Sequence, residues 1–180
     1  MKSNITRKLV FMALLCAISV VLTRVLAINT HTIRISFGAV PIILAGLFFG
    51  PIEGAMVGFV ADIVGCLFLS GFGYTPVLAL SPILMGSLPA LLVRLFPEER
   101  DLGPLELAAA VFPTEILGPI CWTTFGLHLL YGTPIPALLA ARIPLYLITG
   151  ALDTLLVFLL LKSGVFQRLG LQPIRGRKKA

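Results

Sequence analysis

An all-α membrane protein is the fold class this sequence predicts: a compact bundle of six transmembrane helices with both termini cytoplasmic. Three observations predict it. The 180-residue chain is 58% hydrophobic and 12% charged, about half the charge of an ordinary soluble domain. Its mean hydropathy is +1.03, and so little charge cannot cover a water-soluble surface, so apolar surface must face lipid. The apolar residues also fall into six runs parted by short breaks, and a spanning helix needs about 20 mainly apolar residues.

The runs follow in order. The first spans about Thr6 to Ile28 behind a basic start. That start resembles a signal peptide, but Phe11 to Ala27 is long for its apolar segment and more apolar runs follow, so it reads as a retained helix. Asn29 to Arg34 is a polar break. The second run, about Ser36 to Phe49, is short for a full crossing and ends at the turn signal Gly50-Pro51. The third covers about Ile52 to Leu69, and Ser70 to Pro76 is a Gly-rich loop. The fourth covers about Pro76 to Phe96 and contains Pro82 and Pro89, which membrane helices tolerate. Pro97 to Pro104 is the most polar stretch. The fifth covers about Leu105 to Leu130, and Tyr131 to Pro136 is a turn. The sixth covers about Ala137 to Leu161. Residues 1–163 therefore read as one transmembrane domain and 164–180 as a basic cytoplasmic tail.

An even number of spans puts both termini on one side, and the positive-inside rule chooses it. With cytoplasmic termini the inner side holds Lys2, Arg7, Lys8, Arg94, Arg100, Lys162, Arg168, Arg175, Arg177, Lys178 and Lys179. Arg24, Arg34 and Arg142 are left on the outer side, against the rule. Each either snorkels to headgroups or lines an outward pocket that pairs with a carboxylate. The net charge of +6 thus belongs to topology, and nucleic-acid binding is excluded because no single face carries it.

Other polar side chains lie deeper. Asp62, Glu115 and Asp153 fall within apolar runs, where carboxyls usually face the bundle interior. They either meet a ligand's N–H groups, pair with an Arg or sit protonated between helices. Trp122 is an interfacial anchor or a plate for a flat heterocycle. Tyr74, in the Gly-rich loop, closes over a ligand or anchors at the headgroups, and His128 is a lone interfacial histidine. Ala13 and Ala17 form a small-xxx-small pair that lets another helix approach closely. Cys16, Cys66 and Cys121 lie far apart and read as small buried apolar residues.

The inventory argues against an enzyme. His31 and His128 are distant, with no zinc-protease spacing, and no P-loop is present. No metal or cofactor is expected. Glu98, Glu99 and Asp101 form the one acidic group at the inner side. They keep open a membrane-embedded lipid-modifying enzyme as the alternative from another class, and a purely structural bundle is a third reading.

Four blocks carry a resemblance over nearly the whole chain. They are the Ala13/Ala17 pair behind Thr6-Arg7-Lys8, the run from Ile33 to Gly65, the run from Gly73 to Gly86, and the run from Cys121 to Pro144. Together they resemble the substrate-binding S-components of energy-coupling-factor (ECF) vitamin transporters, the folate branch most of all. The resemblance implies capture of a vitamin from outside the cell membrane of a prokaryote. It implies docking on a transmembrane coupling subunit that carries two cytoplasmic ATPases, with Ala13 and Ala17 facing that subunit. Folate suits the residues: Arg24, Arg34 and Arg142 would meet its glutamate carboxylates, Trp122 would stack on the pterin, Asp62 would meet the pterin N–H edge, and Tyr74 would close the site. Pantothenate or a thiamine precursor is the alternative substrate.

Overall fold

The computed structural model describes residues 2–25, 28–29, 34–69, 75–96, 102–171 and 173. Helix α1 (Lys2–Arg24) leads into a minimal antiparallel pair, β1 (Ile28–Asn29) and β2 (Arg34–Ile35), with Asn29 opposite Arg34. Then follow α2 (Ala39–Phe49), α3 (Pro51–Leu69), a 3₁₀ turn (Pro76–Ala79) that runs into α4 (Leu80–Val93), and α5 (Pro104–Glu115). A π-helical segment (Ile116–Trp122) joins α5 to α6 (Thr123–Tyr131), and α7 (Ile135–Lys162) and the short α8 (Val165–Arg168) close the chain.

Five helical stretches among the described residues are long and apolar enough to cross a membrane: Ile5–Arg24, Pro51–Phe68, Pro76–Val93, Pro104–Tyr131 and Ile135–Lys162. The remaining expected run is α2, and it is the exception. It has 11 residues, a length of about 16 Å at the helical rise, against an apolar bilayer core of about 30 Å. Every one of its residues is buried. A helix that is apolar all round belongs inside a bundle, and α2 forms the centre of this one, with Ile43, Leu44 and Phe48 among the most deeply buried side chains. The first helix also ends earlier than its apolar run: α1 stops at Arg24, and Ile28–Asn29 pair as strand.

Glycines let α2, α3 and α4 meet backbone to backbone. A Cβ on Gly54 would fall 2.2 Å from the Gly86 carbonyl oxygen, and one on Gly46 would fall 2.2 Å from the same atom. A Cβ on Gly58 would meet the Pro82 oxygen at 2.2 Å. Without an apolar-solvent penalty to drive helices together, such close approach is what membrane helices use instead.

The single run expected from Leu105 to Leu130 is continuous but not uniform. Pro119 has no N–H for the Glu115 carbonyl, and the ladder slips by one residue, so that the Thr123 N–H bonds to Gly118 O. At α6's end Gly132 takes φ +66° and stops the helix, and Gly164 (φ +67°) does the same after α7.

The N-terminal end of α1 and the C-terminal segment meet at one end of the bundle. Arg7 Nη2 donates to the Leu169 carbonyl. Phe166 on α8 stacks on Phe48 of α2, centroids 4.7 Å apart, and Leu171 is buried. Nearby, Lys8 on α1 is ion-paired with Glu53 on α3.

Candidate functional site

At the other end of the bundle, Arg24 closes α1 and turns onto α3. Its Nη2 lies 3.5 Å from Asp62 Oδ1 and 3.0 Å from Cys66 Sγ. The Cys66 thiol in turn lies 3.6 Å from Asp62 Oδ1. Asp62, Gly65 and Cys66 fall on one face of α3 because they are spaced i, i+3, i+4. Gly65 makes room: a Cβ there would stand 2.6 Å from Arg24 Nε. The Arg24 and Asp62 side chains are 11% and 19% exposed, so the pair is screened little by solvent. One turn earlier on α1, Ser19 Oγ donates to the Gly38 carbonyl at 2.8 Å and fixes the chain as it enters α2.

A second group sits on the α6 and α7 side. Arg142, two turns into α7, donates from Nη1 to the Pro119 carbonyl at 2.8 Å. Its guanidinium carbon stands 5.9 Å from the Tyr146 ring centroid. Its Nε is buried without a hydrogen-bond partner among the described residues. Trp122, three residues after Pro119, donates its indole N–H to the Val77 carbonyl at 2.6 Å. Its ring lies 6.2 Å from Phe125. Gly126 receives the same 3₁₀ turn closely, since a Cβ there would meet Leu78 at 2.8 Å. His128 Nδ1 contacts the Thr133 carbonyl at 2.9 Å and serves its own helix end.

The deep acids Glu115 and Asp153 are buried carboxyls rather than partners of an arginine among the described residues. Glu115 and Asp153 are each 2% exposed. Glu115 Oε2 and Asp153 Oδ1 have no hydrogen-bond partner among the described residues. Glu115 lies across Gly150, where a Cβ would stand 3.3 Å from its Cγ, and Gly150 precedes Asp153 by a turn of α7. Both acids therefore stand at the α5–α7 contact, and neither is ion-paired with an arginine among the described residues.

Of the residues singled out from sequence, the structure brings Arg24 and Asp62 together, and sets Arg142 and Trp122 on one stretch of the α6–α7 side. Arg34 lies on β2, and its side chain lies outside the described residues. Tyr74 lies outside them entirely, as do Glu98, Glu99 and Asp101. Ala13 and Ala17 lie on the exposed face of α1 beside Leu14 and Ile18. Sequence reasoning did not single out Gly65 and read Cys66 only as a small apolar residue, although their spacing from Asp62 was visible. It also had no means to find the carbonyls of Pro119 and Val77, because a main-chain acceptor has no residue type. Among the described residues no three His, Cys, Asp or Glu side chains gather as a metal site.

A profile described as "ECF transporter, substrate-specific component" matches residues 7–161. The chain belongs to this family. Among its relatives is the folate transporter FolT of Clostridium novyi (strain NT), 27% identical over 135 residues, covering 75% of this chain and 76% of that one. The fold is similar to a crystal structure of FolT bound with folic acid, at a TM-score of 0.72 and 27% identity over 82% of this chain and 87% of the other. It is also similar to the S component of a bacterial ECF transporter, at a TM-score of 0.65 and 23% identity over 92% and 96% of the two chains. The blocks quoted from the sequence as resembling such S-components all lie within the matched span or overlap it.

Proposed function

We propose that this S-component captures folate, or a close pterin relative, at the outer face of the plasma membrane of a prokaryote. It then delivers its cargo through an ATP-driven partner module, a transmembrane coupling subunit with two cytoplasmic ATPases. The observation that carries the reading is the Arg142 guanidinium, held on the Pro119 carbonyl with a buried Nε–H that has no acceptor among the described residues. A buried donor without a partner is costly, and a ligand carboxylate supplies the acceptor in the geometry guanidinium prefers. Arg24 offers a second cation on the α1 side, and Arg34 on β2 belongs to the same end. Folate has two carboxylates at one end and a flat pterin at the other, and Trp122 is assigned to stacking on that ring. Tyr74 is assigned to the closing of the same site, and Asp62 to the pairing that holds Arg24 there.

The topology that goes with this function has six crossings, α2 included, and both termini in the cytoplasm. The excess of Lys and Arg at the end shared by the termini supports that orientation. The domain is residues 1–163, and 164–180 form the cytoplasmic tail, the first part of which packs on Phe48. The exposed α1 face with Ala13 and Ala17 is the docking face for the coupling subunit, where small side chains admit a close helix. Catalysis falls to the ATPases.

The test is thermal unfolding of the purified full chain with folate, 5-formyltetrahydrofolate, pantothenate, thiamine and riboflavin. A ligand at 100 times its Kd stabilises the folded state by about 2.7 kcal/mol. A shift with folates alone, lost in Arg142→Ala, is expected. A shift with another vitamin alone would refute the substrate, and no shift with any of them on folded protein would refute the binding role.

A further inference from the structure

We infer that Asp62, Gly65 and Cys66 form a socket on α3 that fixes where Arg24 presents its guanidinium, and that all three are positioning residues for recognition of the carboxylate tail. The inference rests on the proposed reading of Arg24 as a partner of the ligand's carboxylates. It departs from the expectation that Asp62 meets the pterin edge.

Three independent features make the socket. The first is the gap at Gly65. Other α3 glycines, Gly54 and Gly58, lie against the backbone of α2 or α4, but the atoms nearest to a Cβ on Gly65 are Arg24 Nε, Cγ and Cζ, at 2.6, 3.3 and 3.3 Å. A glycine inside a helix lowers its intrinsic stability, and here the space it leaves is filled along the length of one arginine. The second is the choice of partners. Arg24 Nη2 has a carboxylate at 3.5 Å and a thiol at 3.0 Å. A thiol sulfur is a weak and uncharged acceptor; it holds the group in place without adding a second negative charge. The third is linkage between the partners: Cys66 Sγ lies 3.6 Å from Asp62 Oδ1, so a change at either moves the other.

The physical consequence is preorganisation. An arginine side chain has many rotamers, and fixing them before the ligand arrives removes that ordering cost from the binding step. The socket therefore sets the preference for ligands that carry carboxylates, not the stability of the bundle. Gly65→Ala is the sharpest probe because its methyl meets a flexible side chain rather than backbone. The helices stay where they are, and the guanidinium moves.

The experiment measures Kd for folate and for pteroate, the same ring system without the glutamate, on the full chain in detergent. The variants are Gly65→Ala, Cys66→Val, Asp62→Asn and Arg24→Ala, each with its ligand-free unfolding temperature. Socket variants are expected to weaken folate about tenfold or more, to leave pteroate binding near that of the parent, and to unfold near the parent temperature. Parent-like folate binding in both Gly65→Ala and Cys66→Val, with Arg24→Ala impaired for folate only, would overturn the socket and leave the role of Arg24 standing. Asp62→Asn weakening pteroate as much as folate would remove Asp62 from the socket and return it to the pterin. Arg24→Ala without any loss of preference for folate over pteroate would overturn the carboxylate assignment itself, and the socket with it.

Discussion

Gly86→Ala puts a methyl group into a close backbone contact between α3 and α4. Its Cβ would stand 2.1 Å from Gly54 O, 2.3 Å from Gly54 C and 2.9 Å from Ala55 N. Non-bonded carbon contacts sit at about 3.5–4.0 Å, so α3 and α4 must part by about 1 Å or more to admit it. All three obstructing atoms are backbone, so no rotamer change relieves the clash. Overpacking that side chains can absorb costs about 1–3 kcal/mol; with only backbone to yield, the expected loss is about 3 kcal/mol or more. The separation also loosens Gly46 of α2, which lies against the Gly86 carbonyl, so the damage reaches the buried centre. The assay is thermal unfolding of the ligand-free full chain in detergent. Gly103→Ala serves as control, because nothing lies within 4 Å of a Cβ at Gly103 and its φ of −74° suits any residue. Gly86→Ala is expected to unfold well below both the parent and the control. Unfolding at the parent temperature would refute the claim that glycine-to-backbone contact holds α2, α3 and α4 together.

Ala13→Trp and Ala17→Trp are expected to abolish co-purification with the coupling subunit while the solitary chain still binds ligand; retained co-purification would remove this face of α1 from the interface. Glu115→Gln and Asp153→Asn, neutral replacements of similar shape at buried oxygens without a partner among the described residues, are expected to hold or raise the unfolding temperature, because a buried charge without a counter-ion is costly. A marked fall in that temperature would show that the carboxyls themselves hold α5 to α7. Phe166→Ala removes the ring stacked on Phe48, a contact worth about 0.5–1.5 kcal/mol beyond its buried area, and should speed tryptic cleavage after Arg168 as α8 opens. An unchanged cleavage rate would mean that α8 gains nothing from that contact.

Much of the architecture was legible in the sequence because length and polarity write it there. The breaks at Gly50-Pro51, around Pro97 to Pro104 and at Tyr131 to Pro136 were each read from residue type, and the helices stop at or near them. The shortness of the second run was visible too, though not that it sits wholly inside. The facing of each helix was far less legible. In a soluble helix, polar residues mark the outer face; lipid is as apolar as the core, so Leu14 and Leu15 look alike although one is exposed and the other buried. Only small and polar residues break that symmetry, which is why Ala13, Ala17, Arg24 and Asp62 could be picked out and the Cys66 contact could not. The one-residue slip at Pro119 was hidden for a different reason: a proline inside a membrane helix can kink, break or widen it, and neighbouring helices decide which.

The burial of α2 has a consequence for how the chain enters the membrane. Biosynthesis delivers α2 before α4 and α7, two of the helices that pack around it. At 11 residues it is too short to be stitched across the bilayer as an independent unit, and only Gly50 separates it from α3. On the proposed six-crossing topology, helices α2 and α3 insert as a joined hairpin and wait, partly unshielded, for the C-terminal half to be made. A ribosome that stalls before α4 leaves the Gly46 and Gly54 backbones facing lipid, a nascent form that quality-control proteases could tell from the finished bundle.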